Sequence, residues 1–141
     1  MDEYILKRAE ALVKGHEGLE LKPYNDSLGV LTIGYGRNLR DRGVSQEEAE
    51  YLLRNDLSMA LADAKWAVGL ATWENLTTMR KSVLVDMAYN LGLPKLQQFI
   101  KFIEALRDGD YEKAVEEMLD SRWARQVKTR ATHLAQLMKE G

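Results

Sequence analysis

The sequence predicts an α+β fold, in which a small antiparallel sheet near the N-terminus is followed by a long helix and a helical bundle. Residues 21–39 are short β-prone pieces separated by turn residues and glycines, whereas most other segments carry apolar residues at helical spacing. The 141 residues suit one domain with its own core, and the absence of cysteine means that the fold needs no disulfide. We therefore expect a single domain over residues 1–141.

The N-terminal part of the chain predicts a helix followed by the sheet. Apolar residues recur at helical spacing after Asp2, which suits an N-cap, and Gly15 is placed to end the helix. We expect this helix to run from about Asp2 to Lys14. From Leu21 to Leu39 we expect two or three antiparallel strands, because β-prone pieces flank the turn-forming sequence NDSLG.

The middle of the chain predicts two helices. Ser45 and Glu48 have the spacing of a capping box, and the apolar stripe that follows predicts a long helix from about Gln46 to Trp66. Residues 77–91 carry six apolar residues, Met79, Val83, Leu84, Met87, Ala88 and Leu91, which make this segment too apolar around its circumference for a surface helix. We expect residues 77–91 to form the central helix of the core.

The C-terminal third predicts three further helices. Gly92 ends the central helix, and Pro94 suits the first turn of the next one. The buried side of that helix should carry four large apolar residues, Phe99, Phe102, Ile103 and Leu106. Residues 111–119 and 129–139 predict two amphipathic helices, with the sequence SRW at 121–123 between them.

Charge and composition exclude several classes of function. Twenty Lys and Arg nearly balance twenty-two Asp and Glu, so the formal net charge of −2 gives no general attraction to nucleic acid or an acidic membrane. The N-terminus has neither a signal-peptide core nor a membrane span.

His16 and His133 lack ligand-spaced partners, so we expect no metal and no cofactor. Trp66, Trp73 and Trp123 are expected as core or junction anchors.

Glu17 and Asp26 are two carboxyl groups that the predicted elements place in different environments. Glu17 follows the first helix, where the negative end of the helix dipole favours a protonated acid. Asp26 lies in a turn, where it can accept backbone N–H bonds and remain ionised, and a hairpin would bring Thr32 beside it to hold a water. Cleavage of a glycosidic bond needs such an acid and base. Each residue alone also suits a common structural role, and Gly34 and Gly36 fit a strand bend as well as close approach of a substrate.

The ordered segment from Glu17 to Gly36 has the pattern E-G-L-x-L-K-x-Y-x-D-x-x-G-x-x-T-I-G-x-G. This pattern resembles the active-site segment of the phage-type lysozymes, or endolysins, of glycoside hydrolase family 24. The resemblance continues through Gln46 to Asp56, Asp86 to Gly92 and Ser121 to Trp123, in the order that the family shows. It therefore covers most of the chain.

The resemblance implies a mostly helical lysozyme-like fold and a muramidase activity. A small lobe at about 15–65 and a helical lobe at about 66–141, with helix 2–14, would flank a cleft. The reaction would be hydrolysis, with inversion, of the β-1,4 bond between N-acetylmuramic acid and N-acetylglucosamine in peptidoglycan. In the family, the residue matching Glu17 is the general acid, and those matching Asp26 and Thr32 handle the attacking water.

Other site residues follow from the resemblance alone. Asn38, Tyr89 and Asn90 match substrate-cleft positions, although Asn38 replaces a common leucine, and Tyr89 and Asn90 also suit the buried end of a core helix. Arg130 matches an arginine that faces the catalytic Glu and would modulate the acid, favouring its ionised form.

The chain also departs from the family at further positions. Arg37 stands where a histidine is common, and it could pair with Asp56. Phe102 and Glu117 stand where some relatives place small or amide residues, which affects the subsites far from the reacting bond.

Two rival functions remain open from the sequence. A lytic transglycosylase can work with one catalytic acid, and a glycan-binding module needs none, so the presence of both Asp26 and Thr32 disfavours both rivals. We expect a cofactor-free monomer that binds the peptidoglycan glycan strand and neither nucleic acid nor the membrane interior. The resemblance implies that it is made in the bacterial cytoplasm and reaches the cell wall for host lysis after a separate membrane lesion.

Overall fold

A computed structural model describes all 141 residues of the chain, from Met1 to Gly141. It is 70% helical and contains one three-stranded antiparallel sheet, which confirms the α+β prediction. The elements in chain order are α1 (Asp2–Glu17), β1 (Glu20–Asn25), β2 (Leu31–Gly34), β3 (Arg37–Asn38), α2 (Gln46–Val68), α3 (Leu70–Asn75), α4 (Thr78–Leu91), α5 (Leu93–Gln97), α6 (Ile100–Arg107), α7 (Tyr111–Leu119), α8 (Arg122–Val127) and α9 (Thr129–Glu140). None of these helices has the length and apolar character needed to cross a membrane.

The chain forms two compact units, residues 1–50 and residues 51–141. The first contains α1, the sheet and the start of α2, and the second contains the remaining helices. The grouping of all 141 residues into one lysozyme-like domain stays a prediction.

Helix α1 is three residues longer than the sequence predicts. Gly15 remains inside the helix, and the helix ends at Glu17 because Gly18 adopts a left-handed φ of 72° and donates its N–H to the Lys14 carbonyl. The predicted stop at Gly15 is therefore wrong, since a glycine ends a helix only where the backbone turns left-handed. The predicted cap is also wrong: Met1 is the N-cap, and Asp2 is the first helical residue.

The sheet has the order β1-β2-β3, with β2 in the centre. Thr32 on β2 lies opposite Tyr24 on β1 and opposite Asn38 on β3. The prediction of two or three antiparallel strands is confirmed. Because a central strand is covered on both edges, the backbone around Thr32 is held on two sides.

The start of α2 follows the predicted capping box. The Glu48 backbone N–H donates to Ser45 Oγ at 3.1 Å, and the Ser45 N–H donates to Glu48 Oε1 at 2.8 Å. Helix α2 begins at Gln46, as predicted, and continues to Val68, two residues beyond the predicted end at Trp66.

The core of the second unit is built around α4, as the sequence predicts. Four α4 residues are fully buried, namely Val83, Leu84, Met87 and Ala88. Trp73 and Trp123 are buried in the same core, but Trp66 is 75% exposed, so its expected anchoring role is wrong. The buried stripe of α2 consists of the residues Ala60, Ala64, Ala67 and Val68. At 100° per residue, Trp66 points away from that stripe.

Three features of the helical unit differ from the predictions. The single helix expected after Gly92 is two helices, α5 and α6, because Phe99 leaves the helical region with a ψ of 60°. The ring of Phe99 makes edge-on contacts with the rings of Phe102 and Trp123, at centroid distances of 6.0 and 6.1 Å. Helices α3 and α8 were not predicted, since six residues are too few to show a helical period.

Candidate active site

Glu17 is the last residue of α1 and belongs to the first unit. It lies within the helix rather than beyond it, which corrects the predicted position. Its carboxyl group faces the turn between β2 and β3: a Cβ built on Gly36 would lie 2.9 Å from Glu17 Oε2. The end of α1 and the sheet therefore meet at the Glu17 side chain.

Asp26 closes the turn between β1 and β2 with one of its two carboxylate oxygens. Asp26 Oδ1 accepts the backbone N–H groups of Leu28 and Val30, each at 2.8 Å, and the Gly29 N–H donates to the Asp26 carbonyl at 2.9 Å. The expectation that a turn aspartate accepts backbone N–H groups is confirmed. Asp26 Oδ2 has no hydrogen-bond partner within the protein, so this oxygen is free to bind a water.

Thr32 is buried, with 4% of its surface exposed. Its hydroxyl donates to the Val30 carbonyl at 2.8 Å, and that carbonyl also accepts the Asp26 N–H at 2.9 Å. Since a hydroxyl has one hydrogen to donate, Thr32 Oγ1 is left as an acceptor for any further partner. Val30 thus joins Asp26 and Thr32 through its backbone N–H and carbonyl.

Asn38 uses both polar atoms of its side chain within its own loop. Its Nδ2 donates to Asp41 Oδ2 at 3.0 Å, and its Oδ1 accepts the Asp41 N–H at 2.9 Å. Asp41 is held in addition by Arg40 at 3.1 Å, and these contacts lower the pKa of its carboxyl. The Asn38 side chain therefore stabilises the loop after β3, and its substrate-binding role stays a prediction.

Arg37 pairs with Glu48, and the predicted pair with Asp56 is wrong. The Arg37 guanidinium donates to both Glu48 oxygens, at 2.9 and 2.6 Å, and to the Gly43 carbonyl at 3.1 Å. Glu48 is favoured because the loop after β3 brings Arg37 to the first turn of α2, where Glu48 lies, whereas Asp56 is two turns further along that helix. The pair, with the Ser45 N–H, lowers the pKa of Glu48 from 4.5 to about 2.

Tyr89 and Asn90 lie near the C-terminal end of α4 in the second unit, and both are exposed. The alternative that they form the buried end of a core helix is therefore wrong. Asn90 Oδ1 accepts the indole N–H of the buried Trp123 at 2.7 Å, while its NH₂ group has no partner within the protein. The amide donor of Asn90 is thus available to a ligand.

Arg130 pairs with Asp86 in the second unit. Its Nε and Nη2 both lie 2.8 Å from Asp86 Oδ1. Both residues line a mostly apolar cavity of about 490 Å³, to which Tyr89 and Trp73 also contribute. The predicted effect of Arg130 on the acid stays a prediction, and the carboxylate that it contacts in its own unit is Asp86.

A second groove, of about 540 Å³, opens on the helical unit beside α5, α6 and α8. Phe102 and Glu117, two of the departures from the family pattern, both line it, together with Trp123 and Gln126. Phe102 is almost fully buried, and Glu117 is paired with Lys113 at 3.2 Å. The two residues therefore help to form the wall of this groove. No group of three or more His, Cys, Asp and Glu in the protein is arranged to hold a metal ion.

Comparison with known proteins decides the family. A sequence model of the phage lysozyme family matches residues 14–139, which include every residue of the site described above. The chain belongs to the phage lysozyme family. Membership implies a glycoside hydrolase, and the family acts on peptidoglycan.

Several relatives of this phage lysozyme family member have curated descriptions. The "Endolysin" of Acyrthosiphon pisum secondary endosymbiont phage 1 is 28% identical over 96% of this chain and 91% of its own length. "Probable T4-type lysozyme 1" of Dictyostelium discoideum is 23% identical over 92% of both chains. "Pre-baseplate central spike protein Gp5" of Enterobacteria phage T4 is 28% identical over 92% of this chain, but the match spans only 27% of that longer protein.

Two parts of this phage lysozyme site were not found from the sequence. Val30 contributes only backbone groups, which every residue carries, so no residue pattern marks it. The sequence indicates Gly36 only as a strand bend or a point of substrate approach, whereas the structure brings it against Glu17. The positive φ of 80° at Gly36 has the spacing G-x-G as its only sequence signal.

Proposed function

We propose that this protein is an endolysin that hydrolyses the β-1,4 bond between N-acetylmuramic acid and N-acetylglucosamine in peptidoglycan. Glu17 donates a proton to the glycosidic oxygen as the bond to the anomeric carbon breaks. A water attacks that carbon from the opposite face and gives its proton to Asp26. The sugar is thereby inverted, and the acid and base are restored by proton exchange with water.

The observation that carries the proposal is the hydrogen bonding around Val30. It leaves one Asp26 oxygen, Oδ2, without a protein partner, and it leaves the Thr32 hydroxyl as an acceptor. A water that donates one hydrogen to each of these oxygens turns its lone pairs outward, as attack on a carbon requires. This arrangement supports a water-activating site and disfavours a fold that only binds glycan.

Further residues complete the proposal. The free NH₂ group of Asn90 suits the carbonyl of an N-acetyl group, and the exposed ring of Tyr89 suits the apolar face of a sugar. Asn38 contributes to the rim of the site through its loop, and Arg130 tunes the acid. We propose that both units act as one catalytic domain in a cofactor-free monomer, which reaches the wall after the membrane has been breached.

Release of new reducing ends from purified peptidoglycan tests the proposal. The wild type should release them, whereas Glu17→Gln and Asp26→Asn should each be slower by about 100-fold or more, the usual contribution of an acid or base. Glu20→Gln, which removes an exposed carboxylate from nearby β1, is the matched control and should retain wild-type activity. Undiminished activity of Glu17→Gln contradicts the assignment of the acid.

Product analysis separates the proposal from its rivals. In water labelled with the heavy isotope of oxygen, hydrolysis places the labelled oxygen on the anomeric carbon of the new reducing end. In a separate NMR measurement, the first-formed anomer should be α, because the β bond is cleaved with inversion. An unlabelled anhydro sugar would instead identify a lytic transglycosylase. Binding to peptidoglycan without any product would identify a glycan-binding module.

A further inference from the structure

We propose that Gly36 is a positioning residue for the catalytic acid. Its backbone packs against the Glu17 carboxyl group, and this contact restricts the orientation of the carboxyl group. The inference rests on the proposed function, in which Glu17 is the acid. It assigns Gly36 a role toward the enzyme's own carboxyl group, in addition to any approach of substrate to the same turn.

Among the ten glycines, only Gly36 has a built Cβ that would lie closer than 3.0 Å to another heavy atom. A Cβ built on Gly36 would lie 2.9 Å from Glu17 Oε2, 3.1 Å from Cδ and 3.4 Å from Cγ. Real Cβ atoms essentially never approach another heavy atom more closely than 3.0 Å. The far half of the Glu17 side chain therefore lies directly against the Gly36 backbone, and any side chain at residue 36 must displace it.

Both chain neighbours of Gly36 make side-chain contacts that favour the observed backbone path. On one side, the ring of Tyr35 lies 5.4 Å from Lys14 Nζ, and Lys14 is paired with Glu10 on the same helix at 3.0 Å. On the other side, Arg37 is bound to Glu48 through two hydrogen bonds. The atoms that a new Cβ would meet all lie at the far end of the flexible Glu17 side chain, so the clash would be relieved mainly by movement of the Glu17 carboxyl group.

Movement of the acid should lower the rate of the chemical step. A general acid must lie within hydrogen-bond reach of the leaving oxygen, and a displacement of about 1 Å can cost on the order of 100-fold. We expect Gly36→Ala to lower kcat by about 10- to 100-fold on soluble peptidoglycan fragments, with a much smaller change in KM. Because a loss of folded protein would also lower the apparent kcat without changing KM, kcat is calculated from the concentration of folded protein measured by calorimetry.

Gly34→Ala is the matched control. Gly34 is the last residue of β2, two residues before Gly36, and also has a left-handed φ, 70° against 80° at Gly36, but nothing lies within 4 Å of its built Cβ. Both variants therefore carry the cost of a left-handed alanine, and only one meets Glu17. A loss of kcat in Gly36→Ala that is no larger than in Gly34→Ala overturns the proposal.

Thermal unfolding provides a readout that does not need activity. Glu17→Ala removes Cγ, Cδ and Oε2, the three atoms that the new Cβ would meet. Because the flexible end of the Glu17 side chain can move aside at little cost, Gly36→Ala should lower the Tm only slightly more than Gly34→Ala does in the wild type, and equally in the Glu17→Ala background. If Gly36→Ala folds only in the Glu17→Ala background, that result also supports the contact. An equal effect of Gly36→Ala in both backgrounds, together with a kcat no lower than that of Gly34→Ala, overturns it.

These measurements also distinguish the role of Glu17 as the acid from the role of Gly36 in positioning it. Full activity of Glu17→Gln overturns the proposed function, and the contact between Gly36 and Glu17 then has no role in catalysis. Loss of activity in Glu17→Gln, together with equal kcat values for the two alanine variants, overturns only the positioning role of Gly36.

Discussion

Asp26 has two roles that substitution can separate, because they use different oxygens. Oδ1 closes the β1–β2 turn through Leu28 and Val30, whereas Oδ2 is the oxygen proposed to take the proton of water. In Asp26→Asn the amide oxygen can replace Oδ1, and the amide nitrogen replaces the base. In Asp26→Ala both roles are lost. We therefore expect the two variants to be equally inactive but unequally stable.

The expected magnitudes follow from the hydrogen bonds. Asp26→Ala removes two bonds of 2.8 Å, each contributing about 1 kcal/mol net, so the free energy of unfolding should fall by about 2 kcal/mol. At about 3 °C per kcal/mol for a chain of this size, the Tm should fall by about 6 °C. Asp26→Asn keeps both acceptor contacts and should cost less than about 0.5 kcal/mol. Both variants should lose about 100- to 10,000-fold in kcat, the range for a general base.

Calorimetry and the reducing-end assay measure the two effects on the same samples. Ser27→Ala is the control, because Ser27 lies exposed in the same turn and its side chain makes no hydrogen bond. It should match the wild type in both assays. Equal Tm values for Asp26→Asn and Asp26→Ala would refute the role of Oδ1 in the turn. More than a tenth of wild-type activity in Asp26→Asn would refute the role of Asp26 as the base.

Three further predictions concern other parts of the protein. Lys128 is the only non-glycine residue with a positive φ, 46°, and Lys128→Gly should remove the backbone strain at this position. We expect calorimetry to show a Tm higher by about 3 °C, which corresponds to about 1 kcal/mol. A lower Tm would contradict this prediction. Because the pKa of Glu48 is lowered from 4.5 to about 2 in the folded protein, its ion pair stabilises the fold above pH 4.5, and this contribution is lost as the pH falls toward 2. The Tm of Glu48→Gln should therefore vary less between pH 4.5 and 2 than that of the wild type, and an unchanged slope would argue against the pair. Asn90→Ala leaves the buried Trp123 N–H without an acceptor and should lower the free energy of unfolding by about 1–3 kcal/mol. Asn90→Asp keeps an acceptor oxygen and should not have this effect. Denaturant unfolding followed by tryptophan fluorescence compares the two variants.

The fold was largely predictable where the pattern is long or the capping chemistry is explicit. The Ser45–Glu48 capping box located the start of α2, and the apolar residues recurring through residues 77–91 located the buried helix α4. The errors fall where a local signal depends on backbone conformation. Gly15 and Gly18 are both glycines at the end of a helical pattern, and only Gly18 has the left-handed φ that ends α1.

The site was predictable in its members but not in its contacts. Glu17, Asp26 and Thr32 were found from residue types in a fixed order, and the structure gathers all three in the first unit. Their hydrogen bonds were not predictable, because they run through the backbone of Val30. The same limit explains Arg37: two carboxylates, Glu48 and Asp56, were both within sequence reach, and the loop path after β3 selected Glu48.

By itself, the sequence determined the α+β class, the family resemblance and the identity of the candidate acid, base and water-binding hydroxyl, because these depend on residue types at fixed spacings along the chain. Only the tertiary structure decided which oxygen of Asp26 is free, which way the Thr32 hydroxyl donates, and that Gly36 lies against Glu17. Hydrogen bonds and van der Waals contacts depend on distance and direction in space. Such geometry arises only when the turn and helix end come together.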